Sequence, residues 1–109
     1  MASYSKNDVI LVRYPFSDLS SSKVRPAVVV NTPHLSQDVF IIPLTSRTES
    51  LLDGEFLLSD WSKAGLNVAT VVKRGLYTVH ENLIIKVIGK LSESDVKKLE
   101  QSLRAWLGL

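Results

Sequence analysis

Cysteine is absent from the 109 residues, which excludes disulfide frameworks, thiolate zinc sites and cysteine nucleophiles. Histidine is nearly absent: His34 and His80 are the two present, too far apart in sequence to suggest a preformed metal pair. Long apolar runs are missing as well. Ile10–Val12, Ala27–Val30 and the proline-containing Phe40–Leu44 are the longest, far short of the stretch of about 20 residues that spans a bilayer. The first residues, Met1 to Lys6, lack the apolar core of a signal peptide. A soluble, cytoplasmic protein with no membrane partner is the expectation. An excess of one charge is also lacking, with 13 Lys and Arg against 11 Asp and Glu. Bulk attraction therefore does not by itself establish nucleic-acid binding.

What is present is ordinary globular material. The chain is 45% apolar and 22% charged, with five Gly and four Pro, which excludes disordered, collagen-like and low-complexity scaffolds. Residues 1–109 read as one domain, because two would each fall below the size at which a core closes comfortably. Charge placement is more informative than its total. Between Asp18 and Asp38 the charged residues are Lys23 and Arg25, Arg47 ends a later apolar segment, and Lys73 and Arg74 form a basic pair.

The first half reads as strands. Asp8–Tyr14 is short and rich in β-branched residues and stops at Pro15. A polar connection over 17–23 leads into a strand over 24–31 with Pro26 near its start, and a turn over 31–34 precedes a third strand over 38–45. Pro43, late in that strand, argues for an edge or a bulge. A short strand over 55–58 precedes a helical turn that Ser59 would cap and Gly65 would end. Further strands are expected over 68–74 and 83–88. Ser92 and Asp95 come close to a capping box, and Val96, Leu99, Leu103, Trp106 and Leu107 make an apolar stripe that Gly108 terminates. The class is mainly β with one C-terminal helix, and short apolar strands joined by tight turns suggest a small closed or nearly closed barrel.

Two clusters carry chemistry. Tyr14–Val30 is a hydroxyl-rich loop running into Arg25 at the mouth of an apolar strand, and Ile42–Arg47 is a strand end finishing in Thr45, Ser46 and Arg47. Guanidinium forks match phosphate, and hydroxyls add neutral hydrogen bonds. Such a set would hold a phosphodiester. The structural alternative pairs Arg25 with Asp18 or Asp38 and leaves Thr45 and Ser46 to satisfy a turn. Spacing alone favours that alternative.

Along nearly its whole length the chain resembles the MazF/PemK family of toxin endoribonucleases from type II toxin–antitoxin systems. The segments that carry the resemblance are Asp8-Val-Ile-Leu-Val, Pro15-Phe-Ser-Asp-Leu, Lys23-Val-Arg-Pro-Ala-Val-Val-Val, Ile42-Pro-Leu-Thr-Ser, Thr70-Val-Val-Lys, Tyr77-Thr-Val and Ile88-Gly-Lys-Leu-Ser. The resemblance implies an SH3-like small β-barrel, a homodimer, and cleavage of single-stranded RNA without metal or other cofactor. It also implies a cognate antitoxin, whose disordered acidic-apolar tail covers the site and with which the toxin binds DNA. The family's catalytic Arg falls on Arg25 and its catalytic Thr on Thr45. In such cleavage the 2′-hydroxyl attacks the adjacent phosphorus, leaving 2′,3′-cyclic phosphate and 5′-hydroxyl ends. A fixed cation and a hydroxyl donor then stabilise the charge that builds on the phosphoryl oxygens.

RNA contacts are expected from Phe16, Ser17, Asp18, Lys23, Ser46, Arg47, Lys73, Arg74 and Tyr77. The 17–23 loop would act as the gate, and Phe16, Tyr77 and Trp61 offer rings for base stacking, with core packing the alternative for each and the favoured one for Phe16 and Trp61. The chain departs from the PemK-like branch after Val71-Val72. Lys73 stands where that branch has an Arg, and Gly75 where it has an Asp that takes part in acid–base chemistry. No general base is assigned: a guanidinium is too basic to serve as one, and His34 and His80 are lone loop histidines, more often incidental. The loss at Gly75 motivates a second reading, a catalytically silent SH3-like module that binds RNA or a peptide.

Overall fold

The computed structural model describes residues 4–14 and 23–109. Seven antiparallel strands and one helix account for most of it: β1 Asp8–Tyr14, β2 Lys23–Val29, β3 Asp38–Thr45, β4 Phe56–Leu57, β5 Val71–Val72, β6 Tyr77–His80, β7 Ile84–Lys90 and α1 Glu93–Leu107. Strand order along the sheet is β4-β5-β3-β2-β1-β7, with β6 paired to the first half of β3. Register shifts in the β1–β7 ladder between Val9 and Ile10 and between Leu11 and Val12 increase the local bend and twist, as bulges do. The sheet curls toward a barrel yet stays open, since no ladder joins β4 or β6 to β7 among the described residues.

Strand alternation explains two cores rather than one. Ile10, Val12, Ala27, Val29, Val39 and Ile41 face one side, with Tyr4 and Val79. Val9, Val28, Ile42 and Leu44 face the other, where Leu58, Ala64, Val72, Leu91 and Leu99 close over them. Residues 9–12 of β1, 27–29 of β2 and 41–44 of β3 are apolar throughout because both faces of the sheet are covered there.

Helix α1 covers the second face. Val96, Leu99, Leu103 and Trp106 pack there as the stripe predicts, whereas Leu107 is half exposed at the last turn. Ser92 accepts the N–H of Asp95, and Gly108 ends the helix at φ 73°. The Asp95 carboxylate does not complete a capping box. It is fully buried and takes the backbone N–H groups of Ser59 and Asp60 and the Ser59 hydroxyl. Ser59 is thereby held to the helix, and the turn that follows is capped one residue later, by Asp60 accepting from Lys63 N. At Gly65 (φ 83°) and Gly89 the turn and β7 meet backbone to backbone, and a Cβ at either would collide with the other segment.

Three local expectations change. The 68–74 segment is a strand only at Val71–Val72, and Tyr77–His80 is a strand that the sequence reading did not include. Pro43 lies in neither an edge strand nor a bulge, because β3 pairs with β2, β5 and β6.

Candidate functional site

Both prolines of the central strands sit where the sheet forks. Val30 N–H donates to Phe40 O across β2 and β3, so by alternation Val28 and residue 26 also turn their backbone toward β3. Residue 26 is Pro and has no N–H to give, and the β2–β3 ladder ends next to it, at Ala27 opposite Pro43. On the other edge of β3, pairing with β6 runs to Ile41 opposite Tyr77, and pairing with β5 begins at Leu44 opposite Val72. Pro43 occupies the interval, its missing N–H falling between the two partners while its carbonyl accepts from Lys73 N. Two absent donors thus separate strands that would otherwise zip together.

A cavity of about 480 Å³ opens at this fork, lined by Arg25, Pro26, Pro43, Leu44, Thr45, Ser46, Arg47, Leu66, Val68, Thr70, Lys73 and Tyr77. Six sequence-predicted residues meet here: Arg25 from β2, Thr45, Ser46 and Arg47 from the end of β3, Lys73 after β5 and Tyr77 at the start of β6. Thr45 is half-buried, whereas Arg25, Ser46, Arg47, Lys73 and Tyr77 are exposed. Thr45 Oγ1 accepts the Arg47 N–H at 3.1 Å, a short turn that fixes the oxygen and leaves its O–H to donate into the cavity. Three cations and no carboxylate line the cavity among the described residues, so its field favours an anion. Leu66, Val68 and the prolines supply an apolar wall. The arrangement suits a phosphodiester with a base beside it.

Two other expected contacts, Arg74 and Lys23, are described and do not line this cavity. Arg74 lines a separate cavity with Leu52, Asp53, Gly54, Ala105 and Trp106. Lys23 is exposed at the outer end of β2 and does not line the cavity. Phe16, Ser17 and Asp18, with the gate expected over 17–23 as far as residue 22, lie outside the described residues. Trp61 is packed against the helix-side core rather than offered for stacking.

The histidines are explained locally: His34 Nδ1 accepts from Ser36 N, and His80 Nδ1 accepts from Asn82 N. Neither lines the cavity. Among the described residues no group of three or more His, Asp or Glu gathers as a metal site would. At Gly75 a Cβ would stand 3.0 Å from Tyr77 Cε2. A side chain at position 75 would press on the tyrosine ring, which would have to shift by a few tenths of an ångström.

Leu66, Val68 and Thr70 were absent from the sequence-level site. Thr70 is buried, its hydroxyl donating to Val68 O at 2.8 Å, and this bond shapes the irregular approach to β5. No periodicity marks such a segment.

A family model described as PemK-like, MazF-like toxin of type II toxin–antitoxin system matches residues 5–107. No curated protein sequence matches the chain. Solved structures share its fold. A MazF from a MazE–MazF structure of Deinococcus radiodurans aligns with a TM-score of 0.79 at 14% identity, over 100% of this chain and 99% of that one. An endoribonuclease from a mycobacterial species aligns at 0.74 and 16%, over 100% and 95%. The Mycobacterium tuberculosis toxin MazF-mt6 aligns at 0.73 and 23%, over 94% and 97%.

Proposed function

The chain belongs to the PemK-like, MazF-like toxins of type II toxin–antitoxin systems, and from that premise we propose that it is a metal-independent endoribonuclease that cleaves single-stranded RNA in the cytoplasm. The observation that carries this reading is the convergence of Arg25, Thr45, Ser46, Arg47 and Lys73 on one cavity at the sheet fork. Structural neighbours described as endoribonucleases, one of them in complex with its cognate antitoxin, support the same reading.

The chemistry follows from the residue types. The 2′-hydroxyl oxygen bonds to the adjacent phosphorus and loses its proton, while the bond to the 5′-oxygen breaks and that oxygen gains a proton. The products are a 2′,3′-cyclic phosphate and a 5′-hydroxyl. Arg25 acts as a fixed cation and Thr45 as a hydroxyl donor at the phosphoryl oxygens, where charge builds in the transition state. Ser46, Arg47 and Lys73 hold neighbouring phosphates, and Tyr77 stacks a base. DNA lacks the nucleophile and is not a substrate. A homodimer is the working form. A cognate antitoxin with an acidic-apolar tail occludes the same cavity, its carboxylates replacing the phosphates on the three cations, and the pair of proteins binds DNA.

The test is incubation of the purified protein with long single-stranded RNA in excess EDTA, followed by mapping of the ends. Discrete cuts bearing cyclic-phosphate and 5′-hydroxyl ends are expected. RNA that is bound in a salt-dependent way yet stays intact would favour the silent binding module instead.

A further inference from the structure

Strand β5 is two residues long, and Lys73 and Arg74 leave it directly. A strand so short holds its neighbours weakly, yet Lys73 is one of the three cations that line the cavity. In the β4–β5 ladder Phe56 is opposite Val72, so Glu55 stands opposite Lys73, one step beyond the last pair. Glu55 bonds with both carboxylate oxygens. Oε2 accepts the Arg74 N–H at 2.8 Å, and Oε1 accepts the Leu52 N–H at 2.7 Å. Its own N–H donates to Leu52 O. A side chain thus continues the ladder where the backbone stops.

The turn that carries Glu55 is itself tied to the helix. Trp106 Nε1 donates to Asp53 O at 3.0 Å, and Ser102 Oγ donates to Gly54 O at 2.7 Å. A continuous set of bonds therefore runs from α1 through the 53–54 turn and Glu55 to the backbone beside Lys73. Glu55 also lines a 260 Å³ cavity that shares Thr45, Arg47 and Lys73 with the larger one.

Resting on the RNA-cleaving reading above, we propose that Glu55 is a positioning residue that fixes the Lys73–Arg74 backbone so that Lys73 meets an RNA phosphate. Charge makes the carboxylate suited to this, since a bond from N–H to an ionised oxygen is stronger than one to a neutral carbonyl. Gln at this position keeps the size but offers one acceptor where two N–H groups point.

The test measures binding of a single-stranded RNA with 2′-O-methyl groups, which removes the nucleophile, across a range of salt. Wild type, Glu55→Gln, Lys73→Ala and the double variant are compared, with melting and the hydrogen exchange of the Arg74 amide recorded for each. Losing one phosphate contact lowers the slope of log affinity against log salt by about 0.7 for a single strand. Glu55→Gln is expected to show that loss together with faster Arg74 exchange, and the double variant to match Lys73→Ala. A wild-type slope in Glu55→Gln beside a reduced one in Lys73→Ala overturns the positioning role and leaves the RNA reading standing, even where melting falls. An unchanged slope in Lys73→Ala overturns the Lys73–phosphate contact and with it the positioning role, while RNA binding by wild type leaves the RNA reading standing; no RNA binding by wild type overturns both. Where Glu55→Gln fails to fold, the wild-type Arg74 amide decides: protection supports the clamp and exchange at the unprotected rate contradicts it.

Discussion

On the helix side of the sheet, Asp95 is fully buried and its carboxylate takes bonds from Ser59 and Asp60, while Trp106 and Ser102 donate to fixed carbonyls of the 53–54 turn. At the fork, by contrast, Arg25, Ser46, Arg47 and Lys73 are exposed around a cavity. The same sheet carries both. The helix side uses polar side chains to hold backbone in place, whereas the fork leaves its charged side chains at the surface. Stability and the proposed chemistry are therefore separable by mutation.

The largest break in that comparison is Leu99→Ala. Leu99 is 2% exposed within the helix-side core, and truncation of such a residue costs about 2–5 kcal/mol. Denaturant unfolding should show that loss, with the cleavage rate of the remaining folded protein little changed. Thr45→Val works in the opposite sense. It keeps the shape but removes the hydroxyl, so single-turnover cleavage should fall on the order of a hundredfold while the melting temperature moves little. Tyr77→Ala sharpens the division within the cleft. Loss of one stacking ring should weaken RNA binding by about 1–3 kcal/mol, measured by titration with uncleavable RNA.

The smallest effect belongs to the other core. Tyr4 is buried among Ile10, Val12 and Val79, and its hydroxyl has no hydrogen-bond partner among the described residues. Burial, with Glu81 and Asp38 nearby, holds its ionisation above the usual tyrosine range. The folded state therefore keeps the proton to higher pH than the unfolded chain does. Its contribution is full below the unfolded value near 10 and is lost as pH rises through the folded one. Tyr4→Phe should leave neutral-pH stability nearly unchanged and flatten the alkaline limb of a melting-temperature profile.

Much of the architecture was legible because strand and helix periods are local. Asp8–Tyr14, Asp38–Thr45 and the Val96–Leu99–Leu103–Trp106 stripe announce themselves by residue type and spacing. Strand β6 was not read, although Val79 is buried between exposed Thr78 and His80, because four residues give too short an alternation beside Gly75. Pro43 departs from the edge or bulge its strand pattern implies for a nonlocal reason. A proline in a central strand is tolerated only if two partners part at that point, and no sequence window holds three strands.

The site divides in the same way. Arg25, Thr45, Ser46 and Arg47 stand out by residue type near the ends of apolar segments and Lys73 as half of a basic pair, while it is the resemblance to the toxin family that turns these residues from a possible turn into a site. Arg74 follows Lys73 in sequence yet lines a different cavity, with Trp106 among its walls, since successive residues leaving a strand diverge. Leu66, Val68 and Thr70 come from an irregular segment whose placement depends on the Thr70–Val68 bond and on the helix-side core.

The separation of scaffold from chemistry is tested most directly by Arg25→Ala, assayed for cleavage of single-stranded RNA in EDTA beside its melting temperature. Cleavage reduced by a hundredfold or more at an unchanged melting temperature is the predicted result. Undiminished cleavage by a fully folded Arg25→Ala would contradict the account.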